Sequence, residues 1–342
     1  MTKLTFYGGV DEIGGNKILL EDQDTRVFLD FGMSFNQSGM YFSEFLSPRN
    51  CNGLGDYFAT GLLPDIEGVY RQDYLGYMGR PKEDRLVDAV LVSHAHMDHM
   101  SYLHHLRNDI ELIMSKGTHA ICSTLQETRS SGVNDLLIKT PSFQIRPSKR
   151  GDGFTKVTKR DGYDERPCRV IDYNNKFKVG ELEIVPFEVD HSLPGATTYL
   201  IHASEGSILY TGDYRFHGYL GEKTREMIDF TAEEDIEVVI TEGTRIDTES
   251  GTSENEVYQN AKQLTEETKG LVVVTFPARD LTRLSTFHKI ACETGRKLVI
   301  DFSQAFLLDE FQKFSNRYPG SDDSNICLFA ARKSWGLAGR DD

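Results

Sequence analysis

Four residues that can bind metal ions lie within six positions of the chain. They are His94, His96, Asp98 and His99, and they directly follow the apolar run 89–92. Imidazole nitrogens and carboxylate oxygens are common protein ligands of zinc and similar divalent ions. Alternate side chains of an extended segment point the same way, so His94, His96 and Asp98 face one side. His99 then falls on the other side. A solvated polar loop is the alternative, but this spacing favours a loop that feeds two adjacent metals.

Two more residues of ligand type follow apolar strands further along the chain. His191 comes after the run 182–189, and Asp213 comes after the run 207–211. A single histidine after a strand is more often a hydrogen-bonded polar residue, and a Gly-Asp pair is more often a turn. Taken together, and downstream of the first loop, both become candidates for the same site. Such a set would support hydrolysis by a hydroxide held between two metals.

The composition fits a large globular protein and excludes several classes. With 342 residues, the chain is long enough for two domains with cores of their own. No segment has the apolar length of a membrane span, and the N-terminus reads as a strand rather than a signal peptide, so no membrane partner is expected. Five widely spaced cysteines without a CxxC pair indicate a reducing, cytoplasmic setting. The net charge of −15 argues against a generally basic, nucleic-acid-binding surface.

Two segments interrupt the short β-type runs that dominate the chain up to residue 241. Residues 35–85 are irregular and aromatic, which is compatible with a lid, a homodimer contact or a packed insertion. Residues 143–170 are polar and are expected to form a loop. Basic residues clustered there could contact a polyanion, although a charged surface loop is more common. They are Lys149, Arg150, Lys156, Lys159 and Arg160.

The pattern changes after Ser253 to a regular alternation of helices and strands. Helices are predicted at 254–268, 280–293 and 304–314, and strands at 271–276 and 297–301. Strands separated by helices of this length pair in parallel. We therefore place a domain boundary near Glu242, between residues 1–241 and a second α/β domain of residues 242–342.

The order of these residues resembles the signature of the metallo-β-lactamase superfamily. The pattern His-x-His-x-Asp-His at 94–99, then His191, then Asp213, matches its metal ligands, and Asp30 matches its first, mostly structural aspartate. The glycine-rich segment 8–16 and the segment 191–196 are similar to the ribonuclease J-like, β-CASP branch. That branch carries an acidic residue where this chain has Glu242. The resemblance implies the α/β fold class: an αββα sandwich with a partial β-CASP cap domain at the C-terminal end.

The resemblance also implies two divalent metal ions, zinc as the first expectation and manganese as the second. The first metal would be bound by His94, His96 and His191. The second would be bound by Asp98 and His99, with Asp213 bridging the two metals.

The catalytic residues expected on this basis are Asp98 and Glu242. Asp98 would orient the nucleophile or accept its proton, and Glu242 would orient groups near the scissile phosphate. The resemblance implies a nuclease acting on RNA, or on single-stranded DNA, and leaves exonucleolytic and endonucleolytic cleavage open.

Four further residues are weaker candidates for phosphate contacts. Arg279 and Arg283 lie four apart on a predicted helix and share a face, where they contact phosphate or pair with nearby acids. Thr244 and Ser253 could hold a phosphate at a helix N-terminus, although simple N-capping is more common.

One departure from the branch keeps two other functions open. The branch places histidine motifs after the region seen here, and His288 does not match them. We therefore expect the chain to end inside the cap domain, with an incomplete ligand set for the second metal. A small-ester or thioester hydrolase is the first alternative, which the acidic charge favours. A catalytically impaired subunit that pairs with an active homologue is the second.

Overall fold

Two β-sheets pack face to face and form the centre of the molecule. The computed structural model describes residues 1–42, 46–49, 52–128, 140–149, 154–164, 166–247 and 251–330. The first sheet has the strand order β1-β2-β3-β4-β5-β8, antiparallel up to β3 and parallel beyond it. Its strands are β1 (Thr2–Phe6), β2 (Ile18–Asp22), β3 (Thr25–Leu29), β4 (Ala89–Leu91), β5 (Glu111–Ser115) and β8 (Cys168–Ile171).

The second sheet has the order β13-β12-β11-β10-β9 and is antiparallel except for the parallel pair β12 and β13. Its strands are β9 (Phe177–Val179), β10 (Leu182–Glu188), β11 (Thr197–Ala203), β12 (Gly206–Tyr210) and β13 (Ile236–Ile240). Alternate apolar side chains of both sheets, such as Leu20, Leu91 and Ile201, interlock in one buried layer between them. Burial of this layer is the main force that holds the sheets together.

Helices cover the outer face of each sheet, which confirms the expected αββα sandwich. They are α1 (Phe35–Tyr41), α2 (Gly55–Ala59), α3 (Gln72–Tyr77), α4 (Met97–Met100), α5 (Lys116–Thr128) and α6 (Gly221–Thr231), with a 3-10 turn at Ser101–His105. On α5, Ile121 and Leu125 are buried against the first sheet. Met227 of α6 packs with Leu200 and Leu209 of the second. In the part of the chain that the structure describes, every helix is too short or too polar to cross a bilayer.

The irregular segment 35–85 lies against the outer face of the first sheet. Leu54, Leu63 and Tyr70 within it are almost completely buried in the same apolar cluster as Phe28 and Val90 of the sheet. Of the three expectations for this segment, the structure therefore favours a packed insertion.

The expected loop over residues 143–170 is instead largely a two-stranded antiparallel ribbon. Its strands are β6 (Thr140–Pro147) and β7 (Phe154–Asp164). Polar composition was a poor guide here, because strand pairing satisfies backbone groups whatever the side chains are. Arg150 lies outside the described residues, so a polyanion contact by the basic cluster stays a prediction.

The segment after residue 251 forms a separate group of helices and strands. It contains α7 (Glu254–Glu267), α8 (Leu281–Glu293), β14 (Leu298–Ile300), α9 (Phe302–Gln312) and β15 (Ile326–Leu328). The two strands pair in the predicted parallel direction, but β15 was not among the predicted strands. Ser253 and Glu256 form a reciprocal capping box at the start of α7, so N-capping rather than a phosphate contact is the role of Ser253.

The predicted strand at 271–276 is wrong. These residues have no assigned strand, and Leu271 and Val273 are 86% and 79% exposed. An apolar run becomes a strand only when a neighbouring backbone pairs with it. Within the described residues, β14 pairs with β15, and no strand pairs with this run.

The last segment shares its core with the sandwich. Leu281 and Leu284 of α8 and Leu308 of α9 belong to the same buried apolar cluster as Leu125 of α5. A continuous core of this kind couples the two parts energetically.

We predict that Leu308→Ala lowers the free energy of unfolding by about 2–5 kcal/mol, the usual cost of a cavity at a fully buried leucine. Because the core is continuous, the variant should still unfold in one transition, measured by urea titration of circular dichroism. Leu264→Ala is the matched control, since Leu264 is 64% exposed on α7 and should change stability by less than about 0.5 kcal/mol. Two separate transitions would contradict a shared core.

Candidate metal centre

The ligand-type residues come from the carboxyl ends of strands in both sheets. The loop 93–99 follows β4, His191 follows β10 and Asp213 follows β12. The backbone N–H of Thr197 donates to the carbonyl of Ser93 at 2.9 Å, which ties the two sheets together beside the site. Ligands that are far apart in sequence therefore meet at one edge of the sandwich.

Three histidine nitrogens and one carboxylate oxygen converge on a single point. The candidate ligand atoms of His94, His96, His191 and Asp213 all lie within 4.8 Å of one another. The Nδ1 atom of His96 is 2.8 Å from Nε2 of His94 and 3.0 Å from Nε2 of His191. One ring nitrogen carries at most one proton and cannot satisfy both neighbours by hydrogen bonds. Nitrogens around a tetrahedral zinc ion are separated by about 3.3 Å, so these residues fit a divalent cation.

The protonation states of these histidines also suit a cation. Burial lowers the pKa of His94 well below its ordinary value, with help from the neighbouring histidines. Burial likewise lowers the pKa of His96 to about 3 and that of His191 to about 4. Neutral imidazoles keep the lone pair that a metal needs.

A second group of ligand atoms lies on the other side of Asp213. Its Oδ2 is 3.8 Å from Nε2 of both His94 and His191, and its Oδ1 is 3.3 Å from Nε2 of His99. The same nitrogen of His99 is 3.7 Å from Oδ2 of Asp98. Each oxygen of Asp213 thus faces a different group of ligands, as a carboxylate that bridges two cations would. Burial raises the pKa of Asp98. Burial opposes ionisation of Asp213 too, but the hydrogen bond from His99 lowers its pKa.

Asp30 holds this part of the site together from beneath. Its buried carboxylate accepts hydrogen bonds from the backbone N–H of Ser93 at 2.7 Å, the Ser93 hydroxyl at 2.6 Å and the Tyr210 hydroxyl at 2.5 Å. It also contacts Nδ1 of His99 at 2.6 Å. Burial, the largest single influence, would lower the pKa of His99, but Asp30 and Asp213 together outweigh it and raise that pKa well above its ordinary value. Asp30 itself has a φ of 57°, an unfavourable conformation that aims the carboxylate at these donors.

The glycine-rich segment 8–16 packs directly on the ligand loop. The backbone N–H groups of Gly15 and Asn16 both donate to the carbonyl of Asp98, at 3.1 and 3.2 Å. A Cβ on Gly14 would lie 2.3 Å from Cβ of Asp98, so only glycine allows this approach. The Asn16 amide is also 3.3 Å from the His99 ring. This segment therefore orients Asp98 and His99.

Lys17 is a buried cation that fixes the same segment. Its Nζ donates to the carbonyls of Gly15 at 2.9 Å and Gly32 at 3.0 Å, and its side chain is almost completely buried. Burial lowers the pKa of Lys17 to about 8, against the opposing charge of Glu12. The amine joins the glycine segment to the chain that follows Asp30.

Glu242 lies beside the second group of ligands. Its Oε1 accepts a hydrogen bond from the backbone N–H of Tyr214 at 3.0 Å, and burial raises its pKa. Together with Asp98, His99 and Asp213 it lines an open cavity of about 730 Å³. A substrate could reach the carboxylates through this cavity.

A chain of ion pairs connects the site to the segment after residue 251. Asp190, next to His191, is buried and pairs with Nε of Arg215 at 3.1 Å. Arg215 also lies 3.6 Å from Glu254 at the start of α7, and Glu254 pairs with Arg283 of α8 at 2.8 Å. Arg283 is therefore occupied by an acid, and the prediction that it contacts phosphate is not favoured.

Arg279 precedes the N-cap of α8 and so lies outside the helix that was predicted to carry it together with Arg283. Its Nη1 is buried and has no hydrogen-bond partner in the described part of the chain. It is close enough to His96 for its charge to help lower the pKa of that histidine. A cation of this kind beside the ligands is available to an anionic group.

Three residues that shape the site carry no clear signal in the sequence. The only signal for Lys17 was its position at the start of an apolar strand. Tyr210 and Arg215 are close to Asp213 in the sequence, and nothing else in the sequence marks them. Their roles arise from contacts across the fold.

Comparison with known proteins agrees with this geometry. The family model for the beta-lactamase superfamily domain matches residues 64–250, more than half of the chain. The chain belongs to the metallo-β-lactamase superfamily of hydrolases. Members of this superfamily bind divalent metals, which fits the cluster of histidines and aspartate.

Similar curated proteins confirm the resemblance to the ribonuclease J-like, β-CASP branch. A ribonuclease J from Mycoplasma genitalium is 22% identical over 305 residues, which are 87% of this chain and 43% of that protein. A ribonuclease J from Pyrococcus abyssi is 24% identical over 314 residues, 87% of this chain and 58% of that protein. The chain thus spans about half the length of these relatives.

A solved structure supports the fold. The crystal structure of a protein of unknown function from Enterococcus faecalis V583 superposes with a TM-score of 0.68 and 24% sequence identity. The match covers 96% of this chain and 73% of that one.

We predict that Asp30→Asn destabilises the fold by about 3 kcal/mol or more, because an amide cannot accept all the donors that meet at this carboxylate. Metal affinity should fall at least about tenfold, since His99 loses the partner that orients it. Urea denaturation and metal titration measure the two effects. Asp24→Asn, at an exposed turn, should change neither. Unchanged stability in Asp30→Asn would show that the carboxylate does not organise the site.

Proposed function

We propose that the chain is a metal-dependent nuclease that hydrolyses RNA phosphodiesters. The observation that carries this proposal is the position of Asp213, with one oxygen towards His94 and His191 and the other towards His99. Two metal ions about 3.5–4 Å apart act as Lewis acids on both the attacking and the leaving oxygen of a phosphodiester. A bridging carboxylate between two ligand groups is the arrangement that holds ions at that spacing.

We assign the metal ligands in two groups. His94, His96 and His191 would bind the first ion, zinc or manganese. Asp98 and His99 would bind the second, and Asp213 would be shared between the two groups. Ser93 lies 3.0 Å from Nδ1 of His94, and Asp30 contacts Nδ1 of His99, so each ring is oriented by a partner on its other nitrogen.

Two carboxylates act on the reacting groups. Asp98 orients the attacking water or accepts its proton. Glu242 lines the same open cavity as Asp98 and His99 and orients the substrate near the scissile bond. Because burial raises the pKa of Glu242, this group also holds a proton more readily than an exposed glutamate would.

RNA is the proposed substrate for two reasons. Its phosphates are negatively charged and could contact a cation beside the site, and the similar curated proteins are ribonuclease J proteins. The ribonuclease J proteins share most of this chain's length with it. Nη1 of Arg279 is buried without a hydrogen-bond partner among the described residues, and the charge of Arg279 acts on His96, so this side chain is suited to a phosphate of the strand. A cytoplasmic location follows from this substrate. The net charge of −15 supports the alternative of a small-ester hydrolase.

We predict that the chain binds metal, about two ions if the second group of ligands is complete, and cleaves 5′-monophosphorylated single-stranded RNA in the presence of Mn²⁺ or Zn²⁺. Loss of an outer partner of a metal ligand typically costs 10–100-fold, so His96→Ala, which removes a ligand itself, should lower the rate by more than about a hundredfold. His202→Ala is the matched control, because His202 contacts Ser207 on the second sheet, away from the ligands. Gel electrophoresis of labelled RNA and elemental analysis give the two readouts.

Other outcomes of this experiment separate the alternatives. Turnover of small esters without RNA cleavage would favour the ester hydrolase. A folded chain that binds metal but cleaves neither substrate would favour the impaired subunit. If His96→Ala cleaves at the wild-type rate, the site lies elsewhere.

We predict that Arg279→Ala raises KM for RNA about tenfold, the cost of one charge-assisted contact, while the hydrolysis of a small phosphodiester is nearly unchanged. The dependence of log affinity on log salt should become shallower by about 0.7, the value for one lost contact to a single strand. Arg225→Ala is the control, since Arg225 pairs with Glu222 on α6 and both side chains are exposed. Equal losses on RNA and on the small substrate would contradict a phosphate contact and indicate a role in holding the metal ligands.

A further inference from the structure

A second group of metal-ligand side chains lies in the C-terminal α/β segment. His288 and Cys292 are four residues apart on α8 and therefore lie on the same face, one turn apart. Asp323 joins them from the turn before β15. The candidate ligand atoms of these three residues lie within 4.8 Å of one another.

The three side chains converge on one point. Nε2 of His288 is 3.1 Å from Oδ1 of Asp323 and 3.6 Å from Sγ of Cys292. A thiol nucleophile activated by a histidine and an aspartate needs its two partners on the two different ring nitrogens. Here the thiol and the carboxylate approach the same nitrogen, which can offer only one proton. The geometry is therefore not that of a catalytic triad, and it is compatible with a cation site.

The distances agree with a tetrahedral ion. Bonds of about 2.3 Å to sulfur and about 2.05 Å to nitrogen or oxygen place S and N about 3.6 Å apart and N and O about 3.3 Å apart. The observed separations are 3.6 Å and 3.1 Å. A thiolate, an imidazole and a carboxylate together select a borderline-soft ion such as zinc.

We propose that His288, Cys292 and Asp323 bind one zinc ion at a site separate from the centre formed by His94 and its neighbours. Cys292 is exposed, and the side chains of His288 and Asp323 are 15% and 34% exposed, so the remaining coordination position opens to solvent. This proposal does not rest on the proposed nuclease function.

The backbone around Asp323 holds its carboxylate in place. Its Oδ1 accepts a hydrogen bond from the N–H of Asn325 at 2.7 Å. That hydrogen bond, followed by the contact with His288, lowers the pKa of Asp323 and keeps it ionised. Lys297, whose charge also helps to lower that pKa, donates its Nζ to the carbonyl of Ser324. Since β15 begins at Ile326 and pairs with β14, a bound ion would link α8 to this strand pair.

Cobalt substitution of the full chain tests the proposal, because the ligands assigned to the first centre are all nitrogen and oxygen. A thiolate-to-cobalt charge-transfer band in the near ultraviolet therefore reports the second site alone. We expect this band to appear on titration with Co²⁺, to vanish in Cys292→Ser and to need at least about tenfold more metal in Asp323→Asn. Zinc should displace the cobalt and abolish the band.

Two control variants test whether Cys292 is the thiolate that produces the band. Cys327→Ser removes another exposed thiol, in β15, and His96→Ala disables the first centre. Both should keep the band. A band that survives in Cys292→Ser, or no band in the wild-type chain, would overturn the proposal and leave an ordinary ion pair beside a thiol.

A measurement on the wild-type chain removes any dependence on the variants. Zinc should slow alkylation of Cys292 at least tenfold relative to the metal-free chain, measured by peptide mass spectrometry, and leave Cys327 unaffected. Equal alkylation of Cys292 with and without zinc would contradict the site.

Discussion

The carboxylate of Asp30 is the contact on which the rest of the centre depends. It lies at the end of β3, is fully buried, and receives donors from the β4 loop and from Tyr210 at the end of β12. One anion thus joins the ends of both sheets. A buried carboxylate is costly unless every lone pair is used, and here hydrogen bonds use them. This requirement leaves little freedom to the loop that carries His94 and His99.

The cluster of ligand-type residues could be predicted from the sequence because it depends on a short-range pattern, whereas the sandwich was expected from the resemblance to the superfamily. The spacing of His94, His96, Asp98 and His99, and the apolar strands before them, are visible in a single chain. The geometry of the site was not visible. Lys17 binds two carbonyls because distant loops meet there, and Arg283 pairs with Glu254 because α7 and α8 pack together. The run 271–276 shows the opposite error, since apolar residues predict a strand only when a partner is present.

Burial acts in opposite directions on the two sides of the centre. It keeps His94, His96 and His191 neutral, which suits nitrogen ligands. Around His99 the contacts with Asp30 and Asp213 outweigh burial and favour the charged ring. Without a metal ion, the proton on His99 therefore supplies the positive charge between the carboxylates of Asp30 and Asp213. A divalent ion at that position would replace the proton, so metal binding there releases protons.

The ion pairs from Asp190 through Arg215 and Glu254 to Arg283 have a consequence for regulation. Asp190 adjoins His191, a candidate metal ligand, while Arg283 belongs to α8 in the segment after residue 251. A molecule that binds and reorients α8 would change the position of His191. It would therefore change the affinity of the centre for a metal ion. Thermodynamic reciprocity then requires that loading of the ion change the affinity for that molecule by the same factor. Binding of the ion at the centre and binding of that molecule to the segment after residue 251 would then be thermodynamically linked.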